Sequence, residues 1–172
     1  GAYAHDATFI GTVQDDGDIT WKQATPHLKA AFLHGTGAVI GKTLYMFGGT
    51  GAMSAPQAVV KMATLADDGT ISAWVDGPSL PKQRSHHVTL VRDGRLWVMG
   101  GFDISQVPLA EVLRSEHDAN GALTGWTASG ELESAPWTSA GAVYKNHLFL
   151  IGGGEGGPGE EHFVNRVRRA RF

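Results

Sequence analysis

Leu44-Tyr45-Met46-Phe47-Gly48-Gly49, Leu96-Trp97-Val98-Met99-Gly100-Gly101 and Leu148-Phe149-Leu150-Ile151-Gly152-Gly153 are three versions of one motif, and successive copies start 52 residues apart. Four apolar residues followed by two glycines could arise once by chance. Three copies in fixed register mark a repeat, and the period is the first thing to explain. A run that is apolar at consecutive positions must be covered on both faces. The glycines end that run where a neighbouring backbone can approach closely and φ can turn positive.

The repeat extends well beyond the doublet. Asp16-Gly17-Asp18-Ile19 returns as Asp68-Gly69-Thr70-Ile71 and as Asn120-Gly121-Ala122-Leu123. A tryptophan follows each, at Trp21, Trp74 and Trp126. Asp-Gly and Asn-Gly predict hairpins with type I′ turns, which need positive φ at both central positions. The strand before each turn covers Thr8 to Val13, Val59 to Leu65, or Glu111 to Glu116. A Pro-, Gly- and Ser-rich connection comes next (Gln23 to Leu33, Asp76 to Arg84, Ala128 to Trp137). It leads to a strand of small residues starting at His34, His86 or Thr138. One period therefore holds four short strands. No segment keeps helical apolar spacing over 11 residues. The expectation is an all-β fold of packed sheets, with the small-residue strands where room is least and the tryptophans as wedges between sheets.

The chain has 172 residues, 42% of them hydrophobic, and a net charge of −3. That length suits one core, and the charge is too small to call for a polyanion partner. Glycine, 24 residues, is about twice its usual share and fits many tight turns. Cysteine is absent, which removes disulfides and thiolate chemistry. No apolar run reaches the roughly 18 residues of a membrane helix. Gly1 to Asp6 lack the features of a signal peptide, as a trimmed exported chain also would. A secreted or periplasmic location is the working expectation over a cytoplasmic one.

These motifs resemble the kelch repeat, as in bacterial kelch-like propellers and the central domain of galactose oxidase. The family pattern is a Gly-Gly doublet after an apolar strand, then a separated aromatic pair, with a period of about 50. The doublets match at 48–49, 100–101 and 152–153, and a tryptophan matches the second aromatic position at 21, 74 and 126. The tyrosine of the third strand is missing: Ala63, Ser115 and Val167 lie there. Leu80-Pro81-Lys82-Gln83-Arg84-Ser85-His86-His87 looks like the family's lead into the innermost strand. The resemblance implies a kelch-type β-propeller portion of about three four-stranded blades. It forms one repeat domain over 1–172, with a partial blade at 1–26, blades at 27–76 and 77–128, and an incomplete blade at 129–172. Three blades do not close a ring, since propellers usually need 4 to 8. Either the chain belongs to a longer propeller, or copies associate as a dimer, with the leading tryptophan strand completing the last blade.

Strand order puts the loops after Gly-Gly at the same end as the connections into the small-residue strands. These are the long loops (Thr50 to Ala58, Phe102 to Leu109, Gly154 to His162), and long loops on a rigid scaffold carry binding. The candidate contact residues are Arg84, His86, Phe102, Asp103, Trp137 and Glu155. Exposed rings beside charges suit a glycan or a protein segment. Arg84 has a second reading as a brace between loops, and Trp137 as a cover for a sheet edge. A non-catalytic binding scaffold is the preferred function. The alternatives are a carbohydrate-active enzyme of the mutarotase or lyase-like kelch kind, with its site at the channel mouth, and a structural half-propeller. No catalytic residues, metal or cofactor are expected. His34 and His86 share a repeat position but lack a third ligand. The copper chemistry of galactose oxidase needs a Cys-crosslinked Tyr, and the chain has no Cys. Gly152 to Gly157 lacks the Gly-Lys-Ser/Thr ending of a phosphate loop. Arg166, Arg168, Arg169 and Arg171 read as the solvent face of an outer strand or as partners for acidic loops. Nucleic-acid and membrane partners are not expected.

Overall fold

The computed structural model describes residues 6–51 and 55–171, and only the backbone of the last two of these. Tyr3, residues 52–54 of the first long loop and Phe172 lie outside the described residues. Among the described residues the fold is all-β, built of small antiparallel sheets, none of them closed. A hairpin opens it, pairing β1 (Thr8–Val13) with β2 (Ile19–Ala24). A four-stranded meander follows: β3 (Thr36–Ile40), β4 (Thr43–Phe47), β5 (Val60–Thr64) and β6 (Val75–Asp76). A second meander holds β7 (Val88–Arg92), β8 (Arg95–Met99), β9 (Glu111–His117) and β10 (Leu123–Glu131). The third large sheet has three strands in the order β11 (Ala140–Tyr144), β12 (His147–Ile151), β15 (Val167–Arg171). Between β12 and β15 a small ladder pairs β13 (Gly154–Glu155) with β14 (His162–Phe163).

The apolar strands β4 and β8 are covered on both faces, while β12 buries Leu148 and Leu150 on one face and leaves Ile151 exposed on the other. Tyr45 and Phe47 pack with Leu96, Val98, Leu113 and Leu123 of the next sheet. Trp97 and Met99 pack with Leu148 and Leu150 of the third. Ala63, Ile71 and Trp74 close over Ala24 and Ile10 of the opening hairpin. The small-residue strands β3, β7 and β11 lie beside one another in that order. A methyl group added to Gly141 of β11 would stand 2.5 Å from Val88 Cγ1, so this position has no room for a larger residue.

Each doublet divides its labour. A Cβ on the second glycine would strike the backbone of its own unit: Leu33 O for Gly49, Ser85 O for Gly101 and Trp137 O for Gly153, all within 2.5 Å. A Cβ on the first would strike the next unit, at 2.4 Å from Arg84 O for Gly48 and 2.3 Å from Pro136 O for Gly100. Gly152 has no such neighbour, and its nearest atom is Val164 O at 3.6 Å. Main-chain bonds cross the same seams: Gly49 N donates to Arg84 O at 2.9 Å, and Gly101 N to Pro136 O at 2.8 Å.

Two expectations are corrected. The Asp-Gly and Asn-Gly hairpins are not type I′ turns. Gly17, Gly69 and Gly121 have φ between 80° and 89°, while Asp16, Asp68 and Asn120 are not in the positive-φ region. Each turn closes with a bond back to the residue three earlier, as Gly17 N does to Gln14 O at 3.0 Å. This is the longer hairpin built on a type I turn with one left-handed glycine. The type I′ signature appears instead at Asp93-Gly94, where both φ are positive. The small-residue strands also start two residues late. His34, His86 and Thr138 hold φ of 54°, 57° and 53° just before β3, β7 and β11. His86 and His87 are therefore not alternating residues of a strand.

Candidate functional site

Isolated bridges bind each long loop to the connection before the small-residue strand. Leu33 pairs with Thr50, Ser85 with Phe102, and Trp137 with Gly154. Both sets of segments thus share one end of the sheets. At that end a backbone ladder joins equivalent positions of successive units. His86 N donates to His34 O at 3.0 Å, and Thr138 N donates to His86 O at 2.8 Å. Their left-handed conformation turns each residue out of its strand to reach the next.

Along this ladder the rings form a row. His34 and His86 stack at 4.0 Å between centroids, with 24° between planes. Phe102 meets His86 edge-on at 5.9 Å and lies 5.2 Å from Trp137. Trp137 in turn lies 6.0 Å from Phe163. Trp137 is fixed by its Nε1–H, which donates to Gly156 O at 3.2 Å. Its ring covers Gly154, where a Cβ would fall 2.2 Å from it. Phe163 ends the row and is 87% exposed. Burial, and after it the proximity of the His34 ring, lowers the pKa of His86 from its ordinary value.

The charged candidates are engaged elsewhere. Arg84 is fully buried. Its Nη2 donates to Glu111 Oε2 at 2.7 Å, and its Nη1 to Gly100 O and Glu111 O. Arg84 is a brace that ties the connection to the second meander. Asp103 Oδ1 accepts from Ser105 N at 2.8 Å and Val107 N at 2.9 Å, which shapes its own loop. Glu155 is buried beneath the tail, where it accepts from Ser134 Oγ at 2.7 Å and pairs with Arg168. Of the six candidates, the structure brings together His86, Phe102 and Trp137, buries Arg84 and Glu155, and leaves Asp103 capping its own loop.

Two ring residues of the row lay outside the candidate set, His34 and Phe163. His34 carried the signal of its repeat position. Phe163 carried none. Pro56 and Pro108 close the first two loops one period apart, but the third is closed by Phe163, about three residues past the repeat position. A short insertion hides it from any periodic reading.

Buried against β3 is His87, whose Nε2 lies 2.8 Å from Thr36 Oγ1. Thr36 Oγ1 is 2.6 Å from Thr89 Oγ1. His87 Nδ1 has no hydrogen-bond partner among the described residues. Burial first, then the Arg84 guanidinium and the neighbouring His86 ring, pushes its pKa down to about 3.

No family model matches the chain. No curated protein matches it. Among solved structures, that of YjhT superposes with a TM-score of 0.71 at 18% sequence identity. The superposition covers 96% of this chain and 59% of YjhT, so the chain spans less than two thirds of that protein's length. The likeness is one of fold.

Proposed function

We propose that the chain is the greater part of a kelch-type β-propeller that binds a neutral glycan along its long-loop face. The row from His34 through His86, Phe102 and Trp137 to Phe163 carries the reading. Aromatic faces cover the C–H-rich faces of a sugar, while main-chain and imidazole groups meet its hydroxyls. Arg84 and Glu155 are engaged inside the protein and Asp103 caps amides of its own loop, which supports a ligand that is not selected by charge. The same fact weighs against an enzyme at this end. Catalysis calls for two or more ionisable groups in hydrogen-bond reach of one another, and His86 meets Ser85, a histidine and a phenylalanine. The fold-level support for a propeller is the 52-residue period, the four-stranded meanders, and the side-by-side small-residue strands.

The test is a titration of immobilised neutral oligosaccharides with the protein and with Phe163→Ala. The exposed ring of Phe163 can be removed without disturbing the core. We expect at least one oligosaccharide to bind, and the substitution to weaken it about tenfold, as loss of one stacked ring does. An extended peptide that binds while every glycan fails would move the reading to a protein segment. Binding that ignores Phe163→Ala would remove the row from it.

A further inference from the structure

The three Asp-Gly and Asn-Gly turns share one backbone and differ in the side chain that holds it. In each, the glycine N–H donates to the carbonyl three residues earlier at 3.0 Å: Gly17 to Gln14, Gly69 to Ala66, Gly121 to Asp118. In the first two turns the cap is the residue before the glycine. Asp16 Oδ1 accepts from Asp18 N at 3.0 Å, and Asp68 Oδ1 accepts from Thr70 N at 2.9 Å. The third turn moves the cap two residues upstream. There Asp118 Oδ1 accepts from Asn120 N at 2.8 Å and from Ala122 N at 3.0 Å. Ala122 N is the amide that the residue before the glycine holds in the other two turns. Asn120 stands in that place, and its side-chain amide makes no hydrogen bond among the described residues.

This idle amide sits beside a backbone nitrogen it can react with. Residues 118 to 122 are all exposed. A Cβ on Gly121 would meet nothing within 4 Å, so the glycine is uncrowded. The other two asparagines are placed differently. Asn146 Oδ1 accepts from Arg92 Nη2 at 3.0 Å, and His147 follows it. Asn165 is followed by Arg166. In both, a large side chain stands over the nitrogen that would have to attack.

We propose that Asn120 is a self-modification site, where the side-chain amide closes on Gly121 N, sheds ammonia and ends as an acid. Gly121 N gives its proton to solvent base and bonds to Asn120 Cγ. The Cγ–Nδ2 bond breaks, and Nδ2 leaves as ammonia with a proton from water. A water molecule then opens the five-membered imide. Cleavage at Cγ leaves an aspartate, and cleavage at the main-chain carbonyl leaves an isoaspartate. The balance is amide plus water to acid plus ammonia, with nothing oxidised or reduced. An aspartate at 120 is the residue type of the other two turns, so the fold accepts that product. An isoaspartate lengthens the main chain between β9 and β10, ahead of Trp126 and its contact with Phe47.

Asp118 sets the pace. The attacking nitrogen is also the donor that closes the turn, so the turn must open before the ring forms. An exposed turn opens locally without unfolding its sheet. The two bonds to Asp118 Oδ1 hold it shut. The site lies at the tight-turn end of the sheet, away from the aromatic row, and is independent of glycan binding.

The test incubates the protein in mildly alkaline buffer and follows all three asparagines by peptide mapping with mass spectrometry. We expect the Asn120 peptide to gain the mass of an amide-to-acid change several times faster than the Asn146 and Asn165 peptides. Asp118→Ala, checked for folding by circular dichroism, should speed the reaction about fivefold, as loss of one ordinary hydrogen bond implies. In denaturant the two proteins should react at one rate, because no turn is left to hold. Asn120→Gln should keep its amide. An Asn120 that reacts no faster than Asn146 and Asn165 would overturn the proposal, and so would a folded-state rate indifferent to Asp118→Ala.

Discussion

Gly100→Ala should destabilise the protein by about 3–5 kcal/mol, while Gly152→Ala should cost only about 1 kcal/mol. The two glycines hold the same place in their units and nearly the same conformation, with φ of 69° and 62°. Both pay the left-handed penalty of a residue with a Cβ. They differ in what the new methyl would meet. At Gly100 it is the carbonyl oxygen of Pro136, at 2.3 Å, part of the backbone and unable to swing aside. That backbone also receives the seam bond from Gly101 N, and the carbonyl of Gly100 accepts from Arg84. At Gly152 the nearest atom is 3.6 Å away, an ordinary contact. A small domain has about 5–15 kcal/mol in all, so Gly100→Ala takes a large share of it. Urea melts of the two variants beside the parent make the comparison. Equal losses would show that conformation, not the crossing backbone, sets the requirement for glycine.

Acid should unfold the protein through His87. The folded pKa, about 3, lies below the ordinary 6.5, so the unfolded chain takes the proton first. Stability from this group is complete above pH 6.5 and falls as pH drops toward 3, by about 1.4 kcal/mol per unit. Between pH 6.5 and pH 4 the loss is about 3 kcal/mol. The geometry gives the reason. Nε2 meets Thr36 Oγ1, and Nδ1 has no partner among the described residues, so a second proton would be buried without an acceptor near the Arg84 guanidinium. Denaturant midpoints from pH 7 to pH 4 test the slope. His87→Gln keeps a donor for Thr36 and cannot take up the proton, and it should flatten the curve. An unchanged slope in that variant would assign the acid sensitivity to other groups.

The all-β character was legible because the apolar strands carry their own stop signal in the doublet, and because most hairpin turns carry a glycine, the Lys145-Asn146 turn being the exception. The turn type was not. Only the glycine takes positive φ, while aspartate oxygens cap nearby amides, as Asp118 Oδ1 does for Asn120 N and Ala122 N. A dipeptide does not distinguish this from type I′. At the candidate site the structure gathers the rings His86, Phe102 and Trp137 and engages the charges elsewhere. Arg84 and Glu111 stand 27 positions apart, and Glu111 belongs to no motif, so their pairing depends on how the second meander curls back over its own connection. Glu155 is likewise claimed by Arg168, on a strand that a short insertion shifts about three residues out of the period. Phe163 escaped notice because its loop breaks the spacing.

The ladder from His34 to His86 to Thr138 sets a counting rule for the gene as well as for the molecule. Every junction offers the same donor and acceptor to whatever follows it. A tandem duplication or excision of a whole period leaves all junction amides satisfied. A change of any other length strands a buried N–H at a site of the Gly49 or Gly101 type. Evolution of such a chain is therefore quantised: it lengthens or shortens by complete modules, while drift in size is confined to the outer loops.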